Sequence, residues 1–538
     1  MIFKVRRLQW AIAFWTGLAL FQSNAADQAQ LQRGKLLYLQ NCVICHQSSG
    51  QGAPGVFPPL QQSDYFAKDI TKAILPLVQG LSGKIKVNGR AYDGTMPPVN
   101  LDDSGVADVL TYVRSNFGNS GEPVTPEQVK ATRAQSRFPT FSALQQANTY
   151  APLPQTGAGL ALREVARLSE HGHRLLADKS GAIFVLGPRA EIWQVNLQGG
   201  QLTQILRTDS YIQRALGDIT TTGFTFDQEG RLYIVADQRN ESGSLVTNIV
   251  TIFRSAGIKG GIVSKPEVWL RTNYPWGIGP FNHGVGHIAQ GPDGFLYVGS
   301  GSRTDGNEAG QDPKYFTGGE VPLTACIWRL DPKSEHPLIE IYAKGLRNCY
   351  GFCWNDKGEM FATDNGPDAD APEELNWIRP GKHYGFPYKF SNWKDKPYGY
   401  TPEPRAGLEF SLPVANFGPA ASGNSDQPYF TFGPHSSPAG IVFLDKNFPE
   451  GFRGTFLVTR FGNLIKNPKD AGFDLLQVRM RPGNESAEVT TFLAPLARPL
   501  DVVTVNGKIY ILEYSRQTEN RSDIGMLPGR VLELSFQK

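Results

Sequence analysis

The chain has 538 residues, too many for one ordinary domain, so we expect two or more domains. Hydrophobic residues make up 40% and charged residues 19%, which excludes a disordered chain, and the many glycines (58) and prolines (38) favour strands and tight turns over helical bundles. The net charge of +3 includes Lys4, Arg6 and Arg7, so the rest of the chain is near neutral and nothing indicates a basic surface for nucleic acid.

Residues 1–25 have the pattern of a secretory signal peptide. A basic start is followed by a mostly apolar run from Leu8 to Phe21 and by the small residues Ser23, Asn24 and Ala25. An uncleaved membrane anchor is the alternative, but the apolar run is short for a full span. We therefore expect export, a periplasmic location, and no membrane span once this segment is removed.

The sequence CVICH, near the start of the mature chain, is the attachment pattern of a covalent c-type haem. The two thiols, Cys42 and Cys45, can add to the two vinyl groups of one haem, and His46 then becomes the proximal iron ligand. Zinc would need a second ligand pair nearby, but the next cysteine is Cys326 and the next histidine is His171. A redox CxxC pair would need βαβ patterning, which is absent.

Met96 is the predicted sixth ligand of the haem iron. Apart from Met1 it is the only methionine before residue 360, and it lies in YDGTMPPVN, where Gly94 and two prolines favour a stiff loop. A His/Met ligand pair favours electron transfer over oxygen chemistry. The alternative is a methionine that only fills space in the core.

Segments with helical spacing flank these ligands, in DQAQLQRGKLLYLQ and in LDDSGVADVLTYVRSNFG, where Asp102, Asp103 and Ser104 form the cap region of the helix. Together with GQGAPGVFPPLQQSDYF they resemble class I cytochrome c, in particular the cytochrome domains that serve periplasmic dehydrogenases. The resemblance implies an all-α electron carrier over residues 26–118. Residues 119–159 are then predicted to form one more helix in VTPEQVKATRAQ, with Thr125 as its cap, and a linker.

One theme recurs six times over residues 160–538: a turn that contains a glycine, followed by a short β-rich run. The copies are DKSGAIFVLG, DQEGRLYIVAD, GPDGFLYVGSG, NDKGEMFATDNG, EGFRGTFLVTRFG and VNGKIYILEYS. Segments such as AEIWQVNL, NIVTIFRS and CIWRLDP fit partner strands. The repetition predicts an all-β propeller of six four-stranded blades, with an array of β-sandwiches as the alternative.

Two stretches of this region are distinctive: GPFNHGVGHIAQGPDGFLYVGSG, and the longer segment that begins KGLRNCYGFCWNDKGEMFATDNGPD. They resemble the soluble glucose/sorbosone dehydrogenase family, and the resemblance extends over roughly residues 160–535. It implies a six-bladed propeller that binds pyrroloquinoline quinone (PQQ) and Ca²⁺ and oxidises a small-molecule sugar or alcohol.

The resemblance also implies roles for single residues. His283 matches the family's general base, a role that suits a side chain titrating near neutral pH. Arg347 and Asn348 match residues that contact the quinone and the substrate. The other matches are Gly366 and Pro367, whose carbonyls would bind calcium, and Arg460 and Arg498, near the carboxylates of the cofactor.

Structural roles are open alternatives for several of these residues. His283 or His287 could be a buried histidine that only satisfies its hydrogen bonds. Arg347 could bridge two blades. His435, in FGPHSSPAG, could enter the same pocket or close a loop.

The chain also departs from the family pattern in three places. Asp218 or Ile219 stands where the family has a glutamine contact, and Leu500 replaces a second arginine. Ser302 replaces the aspartate that orients the histidine base. Loss of that carboxylate would weaken the base, because it fixes the tautomer and stabilises the protonated ring.

The predicted function is that of a periplasmic quinohaemoprotein oxidoreductase, which delivers electrons through the haem to an external acceptor such as another cytochrome or a membrane oxidase. The alternative is a haem carrier whose propeller is a non-catalytic binding or docking module. The sequence leaves open the substrate, the acceptor, PQQ binding itself and the oligomeric state. It also leaves open the pairing of Cys326, Cys349 and Cys353.

Overall fold

A computed structural model describes most of the chain. The predicted signal peptide and the linker residues 136–150 lie outside the described residues. Among the described helices, none is long and apolar enough to cross a membrane. The described ranges are 28–53, 57–67, 69–96, 99, 101–119, 121–135, 151–277, 282–308, 314–316, 318–369, 371–391, 396–420, 431–463, 471–516 and 527–537.

Residues 28–135 form a small helical unit with one β-hairpin, around a single hydrophobic cluster that includes Tyr38, Cys42, Ile74 and Leu110. The hairpin ends at Met96 and is an addition to the predicted helical layout. The elements are α1 (Gln28–Asn41), α2 (Val43–His46), α3 (Ile70–Gln79), β1 (Leu81–Val87), β2 (Arg90–Met96), α4 (Asp103–Ser115) and α5 (Pro126–Gln135).

Two helix starts agree with the predicted caps. The Asp102 carboxylate accepts a hydrogen bond of 2.7 Å from the amide of Gly105 at the start of α4. At the start of α5 the amide of Gln128 donates to the Thr125 hydroxyl, while the Thr125 amide donates to the Gln128 side chain. Helix α5 packs Val129 into the same hydrophobic cluster as the preceding helices, so it is part of this unit.

The rest of the chain forms six sheets in a ring, which confirms the predicted propeller. The first strands of neighbouring blades contact one another around the central axis. A short ribbon, β11 (Ile258–Lys259) and β12 (Ile262–Val263), is inserted in the second blade. The first three blades are β4 (Arg174–Ala177), β5 (Ile183–Leu186), β6 (Ile192–Val195), β7 (Leu202–Leu206); β8 (Asp218–Phe226), β9 (Leu232–Asn240), β10 (Thr247–Ser255), β13 (Glu267–Pro275); and β14 (Val285–Gln290), β15 (Leu296–Ser300), β16 (Cys326–Leu330), β17 (Glu340–Lys344).

The last three blades are less uniform than predicted. Within the described residues the fourth blade has three strands and the fifth has five, because β21 pairs in parallel with the outer edge of the fifth blade. They consist of β18 (Gly351–Trp354), β19 (Met360–Asp364), β20 (Glu374–Ile378); β21 (Ala415–Asn416), β22 (Pro438–Leu444), β23 (Thr455–Arg460), β24 (Asp474–Met480), β25 (Ser486–Leu493); and β26 (Pro499–Val505), β27 (Lys508–Ser515), β28 (Pro528–Phe536) with β3 (Leu160–Arg167).

Each of the six repeated segments forms the same element, the turn after a first strand and the second strand that follows it. In the first two copies the carboxylates of Asp178 and Asp227 accept hydrogen bonds from backbone amides two and four residues further on. This aspartate turn explains why the motif is visible in the sequence. The predicted partner strands are likewise confirmed as third strands of the first three blades.

Antiparallel pairing within each blade decides where a site can form. A first strand begins at the end of the ring where the second strand of the same blade ends. Residues before β14, β18 and β26 therefore lie at one end of the ring with residues that follow β15, β19 and β23. We call this the loop end, and all of the propeller residues assigned above by resemblance lie there.

The ring is closed by β3, which pairs with the last strand from Leu160 opposite Phe536 to Arg167 opposite Arg530. We expect a fragment of residues 151–538 to unfold cooperatively, whereas a fragment of residues 169–538 leaves an open sheet edge. The shorter fragment should lose the transition or unfold about 10 °C lower. Circular dichroism melts of the two fragments test this, and equal midpoints would contradict it.

Candidate functional site

Of the two cysteines of the haem motif, Cys42 directly precedes α2 and belongs to the hydrophobic cluster, and Cys45 lies within α2. Burial raises the pKa of the Cys42 thiol to about 12 and that of Cys45 to about 11. Both are therefore protonated thiols at neutral pH, the form that adds across a vinyl group. Neither takes part in a disulfide.

His46 is buried and has one ring nitrogen in use. Its Nδ1 lies 3.0 Å from the carbonyl oxygen of Pro58, and burial lowers the pKa of the ring. A neutral ring that donates from Nδ1 to a carbonyl presents the lone pair of Nε2, as an axial iron ligand requires. Met96 ends β2 and packs on the cluster that contains Cys42. The residues present fit a covalent haem, and Met96 stays a prediction for its sixth ligand.

At the loop end of the propeller, His283 has a defined orientation. Its Nδ1 lies 3.2 Å from the Ser302 hydroxyl oxygen and 3.3 Å from the Ser302 carbonyl oxygen. The Ser302 hydroxyl donates its own proton to the carbonyl of Thr304 at 2.7 Å. It therefore accepts from the histidine, which assigns the ring proton to Nδ1 and leaves Nε2 as the basic nitrogen.

The side chains of Asn348 and His283 both lie close to Gly301, which leaves room for them because it has no side chain. A Cβ atom on Gly301 would be 2.5 Å from the Cβ of His283 and 3.5 Å from Oδ1 of Asn348. The backbone amide of Asn348 donates to Asp364 at 2.6 Å. The loop end thus combines a base and an amide side chain, two of the residues assigned by resemblance.

Arg347 faces into the protein. Its Nη2 lies 2.5 Å from Oδ1 of Asp305, and its Nη1 donates to the carbonyl of Asn365. Asp305 follows the second strand of the third blade, and Arg347 precedes the first strand of the fourth. This buried pair therefore favours the blade-bridging role for Arg347 that the sequence left open.

The two arginines predicted near the cofactor differ in their surroundings. Arg460 makes a bidentate ion pair with Asp474, at 2.9 and 2.6 Å. Arg498 is fully buried between the rings of Phe461 and Phe473, each 5.0 Å away. Among the described residues it donates only from Nη1, to the carbonyl of Asn463, while Nε and Nη2 have no partner.

An unpaired guanidinium in an apolar setting is costly. Burial lowers the pKa of Arg498 to about 10, so it is still a cation at neutral pH. A carboxylate of a bound molecule would supply the missing partner for Nε and Nη2. Arg498 thus fits the carboxylate-bearing cofactor implied by the resemblance, whereas the charge of Arg460 is already neutralised.

Buried carboxyl groups surround the predicted calcium ligands. The Gly366 amide donates to Glu373 at 2.5 Å, and burial raises the pKa of Glu373 to about 8 and that of Asp364 to about 7. The nearby cation, Arg347, is already paired. An oxygen-rich region with an excess of acids fits Ca²⁺. Among the described residues no three acidic, histidine or cysteine side chains have a metal-binding arrangement, so carbonyls such as those of Gly366 and Pro367 would have to complete the ligand set.

The remaining residues named in the sequence analysis make contacts with the protein itself or are part of its core. His287 is buried, its Nε2 lies 3.2 Å from the Phe352 carbonyl, and burial lowers its pKa well below the usual value. His435 faces Asp368 at 3.4 Å. Leu500 is buried in the first strand of the sixth blade. The three propeller cysteines, Cys326, Cys349 and Cys353, form no disulfide.

A further group at the loop end was missed in the sequence. The ring of His171 stacks on Tyr514 with centres 4.1 Å apart, and Arg174 lies over the ring of Tyr350. His171 precedes the first strand of the first blade, and Arg174 is the first residue of that strand. The segment before a first strand supplies a candidate residue in the third, fourth and sixth blades, so that position was the signal that could have found them.

Comparison with known proteins agrees with this division. The family model "Glucose / Sorbosone dehydrogenase" matches residues 163–519, and "Cytochrome c" matches residues 31–117. A cytochrome c-552 of Thermus thermophilus is 35% identical over 145 residues, which cover 25% of this chain and 91% of that protein.

Two further similarities are more limited. The cytochrome c subunit of alcohol dehydrogenase (quinone) of Gluconobacter oxydans is 29% identical over 101 residues, 16% of this chain and 19% of that subunit. The apo-form of the soluble aldose sugar dehydrogenase of Escherichia coli superposes with a TM-score of 0.50 at 16% identity, over 70% of this chain and 100% of that protein. At that identity the match shows the fold alone.

We expect Met96→Ala to abolish the near-infrared sulfur-to-iron charge-transfer band and to lower the haem potential, because the thioether stabilises ferrous iron. Absorbance spectroscopy and redox titration measure both. Met480→Ala, in the fifth blade, is the matched control and should change neither. An unchanged band in Met96→Ala would refute the ligand assignment.

The contrast between the two arginines predicts opposite effects on the cofactor-free protein. Arg498→Met removes a buried cation that has no acidic partner among the described residues and should raise the free energy of unfolding by about 2 kcal/mol. Arg460→Met leaves Asp474 buried without its partner and should lower it by about 3–5 kcal/mol. Denaturant unfolding of both variants checks the signs, and destabilisation by Arg498→Met would show that Arg498 is paired in the free protein.

Proposed function

Because this chain belongs to the glucose/sorbosone dehydrogenase family and joins its propeller to a cytochrome c domain, we propose that it oxidises a sugar or an alcohol and passes the electrons through a covalently bound haem. The observation that carries the proposal is His283. Its Nδ1 lies 3.2 Å from the Ser302 hydroxyl oxygen, which assigns the lone pair of the neutral ring to Nε2 at the loop end of the ring.

The residues that would hold PQQ are Arg498, through a cofactor carboxylate, and Asn348, beside the base. PQQ, when bound, supplies a two-electron acceptor for a hydride from the substrate. Calcium would lie with the carbonyls of Gly366 and Pro367 and the neighbouring carboxyl groups. The fit of Arg498, a buried cation with two nitrogens unpaired within the described part of the chain, to a carboxylate supports this cofactor.

Proton transfer is the task of His283. Its Nε2 takes the proton of the substrate hydroxyl as the adjacent carbon is oxidised. Ser302 keeps the ring in the required tautomer, but a neutral hydroxyl stabilises the protonated ring less than an aspartate would. Arg347, through Asp305, holds the third and fourth blades together around this base.

In the cytochrome domain, Cys42 and Cys45 would anchor the haem, and His46 and Met96 would bind its iron. We place this chemistry in the periplasm, since the predicted signal peptide directs export there. An external one-electron acceptor, such as another cytochrome or a membrane oxidase, would then reoxidise the haem.

A second candidate is a propeller that binds a polymer or a partner dehydrogenase without catalysis. Two observations favour it: Arg347 and Arg460 are both neutralised by buried acids, and Leu500 is part of the core. In that case only the cytochrome domain would be redox-active.

We expect a substrate from a panel of sugars and alcohols, with PQQ and Ca²⁺, to reduce the haem at a rate independent of protein concentration. His283→Ala should stop this reduction and leave the haem spectrum intact, because it removes the base and not the carrier. Stopped-flow absorbance at the haem bands across a dilution series measures the rate.

The exposed His336 provides the matched control, and His336→Ala should behave like the unaltered protein. If no compound reduces the haem and calorimetry detects no binding of PQQ, the dehydrogenase proposal fails. The non-catalytic binding module would then take its place.

A further inference from the structure

The cytochrome domain contacts the propeller through its haem-attachment segment. The hydroxyl of Ser48, two residues after His46, makes a short hydrogen bond with the hydroxyl of Tyr315. Tyr315 is 4% exposed, and its hydroxyl also accepts a hydrogen bond of 2.5 Å from Nη2 of Arg239. One buried tyrosine thus joins the two domains.

From this tyrosine a chain of contacts leads to the candidate base. The guanidinium carbon of Arg239 lies 5.8 Å from the ring centre of Tyr315 and 5.3 Å from that of Trp276. The residue after Trp276, Gly277, donates from its amide to the Asn282 side chain at 2.8 Å. Asn282 directly precedes His283, so contacts connect the haem segment with the loop end.

Charges on the two surfaces are complementary. Asp218 is the first residue of β8 in the propeller. Burial and the charge of Glu241 raise its pKa, whereas the charges of Arg239 and of Lys35, in helix α1 of the cytochrome domain, lower it. Lys35 therefore lies within electrostatic range of Asp218, across the boundary between the domains. A basic residue of the cytochrome domain thus lies near an acidic residue of the propeller, as in protein pairs that dock electrostatically, whereas Glu241 is paired with Arg239 at 3.0 Å.

We propose that the surface formed by Asp218, Arg239, Trp276 and Tyr315 is the docking site of the cytochrome domain, and that electrons cross between the domains at Tyr315. The proposal rests on the proposed function for the direction of electron flow. It gives a role to Asp218, which with Ile219 is a candidate for the position of the family's glutamine contact, because Lys35 of the cytochrome domain lies within its electrostatic range.

The electron balance constrains how the surface works. Oxidation of a hydroxyl to a carbonyl releases two electrons and two protons, one of which goes first to His283. Each crossing reduces one ferric haem iron to the ferrous state. One turnover therefore needs two crossings, separated by reoxidation of the iron by the external one-electron acceptor. A docking surface that holds the cytochrome in place permits both crossings without a new encounter.

Cross-linking of the haem-loaded protein tests the docking without any dehydrogenase activity. Lys35→Cys combined with Asp218→Cys places two exposed thiols across the interface, and a short bismaleimide should join them. Lys35→Cys with Lys357→Cys, at the opposite end of the ring, is the control pair and should not react. The native thiols interfere little: the haem occupies Cys42 and Cys45, and burial raises the pKa of the other three cysteines.

Tyr315→Phe, added to the cross-linking pair, keeps the ring and removes its hydroxyl. Cross-linking should slow about tenfold, because the loss of a hydrogen bond to a charged group weakens docking by about that factor. Haem reduction by substrate in the presence of PQQ and Ca²⁺ should slow by a similar factor, with the haem potential unchanged. Tyr297→Phe is the matched control, because it also loses a hydroxyl hydrogen bond, of 2.8 Å to Asp293, but far from the interface. Ser48→Ala should act in the same direction as Tyr315→Phe.

Two results would overturn the docking site: equal cross-linking of the two cysteine pairs, or no effect of both Tyr315→Phe and Ser48→Ala. Failure of the proposed function looks different. In that case the Lys35/Asp218 pair still forms its cross-link and Tyr315→Phe still slows it, but no substrate reduces the haem. The two proposals are therefore separable in one set of variants.

Discussion

Closure of the ring by β3 and β28 is the pairing on which the site depends. Each blade is held by its neighbours, and the first blade has the last one as a neighbour only because a strand from the start of the propeller completes the final sheet. With the ring closed, segments from different blades converge at the loop end. His283 and Ser302 come from the third blade, Asn348 from the fourth and Arg498 from the sixth.

Much of this architecture could be predicted from the sequence, because it depends on local signals. The CVICH motif, the caps at Asp102 and Thr125, and the six aspartate- or glycine-bearing turns each act over a few residues. The irregular blades could not be predicted in this way, since β21 pairs with a strand some seventy residues later in the chain. Long-range pairing leaves no periodic signal in its own segment.

The site shows the same limit at the level of single residues. A motif indicates that an arginine is present but not which acid neutralises it. The resemblance assigned Arg347 to contact with the quinone and the substrate, and Arg460 and Arg498 to the carboxylates of the cofactor. Buried partners distinguish them: Asp305 and Asp474 pair with the first two, and Arg498 has unpaired nitrogens within the described structure. The partner acids lie 42 and 14 residues away from their arginines, so only the fold reveals which cation is left for a ligand.

The resemblance places Ser302 where the family has a carboxylate, and under the proposed function the base then has a neutral partner at Nδ1. A buried aspartate beside His283 would favour the protonated ring, whereas a serine that donates to Thr304 fixes the tautomer and adds no charge. Under the proposed function, the base takes up its proton without a carboxylate at Nδ1, and the free energy for this protonation comes from the oxidation step itself. Rapid removal of electrons would shift the equilibrium of the oxidation step towards product. This is a physical reason to hold the haem domain beside the propeller rather than to rely on a diffusing carrier.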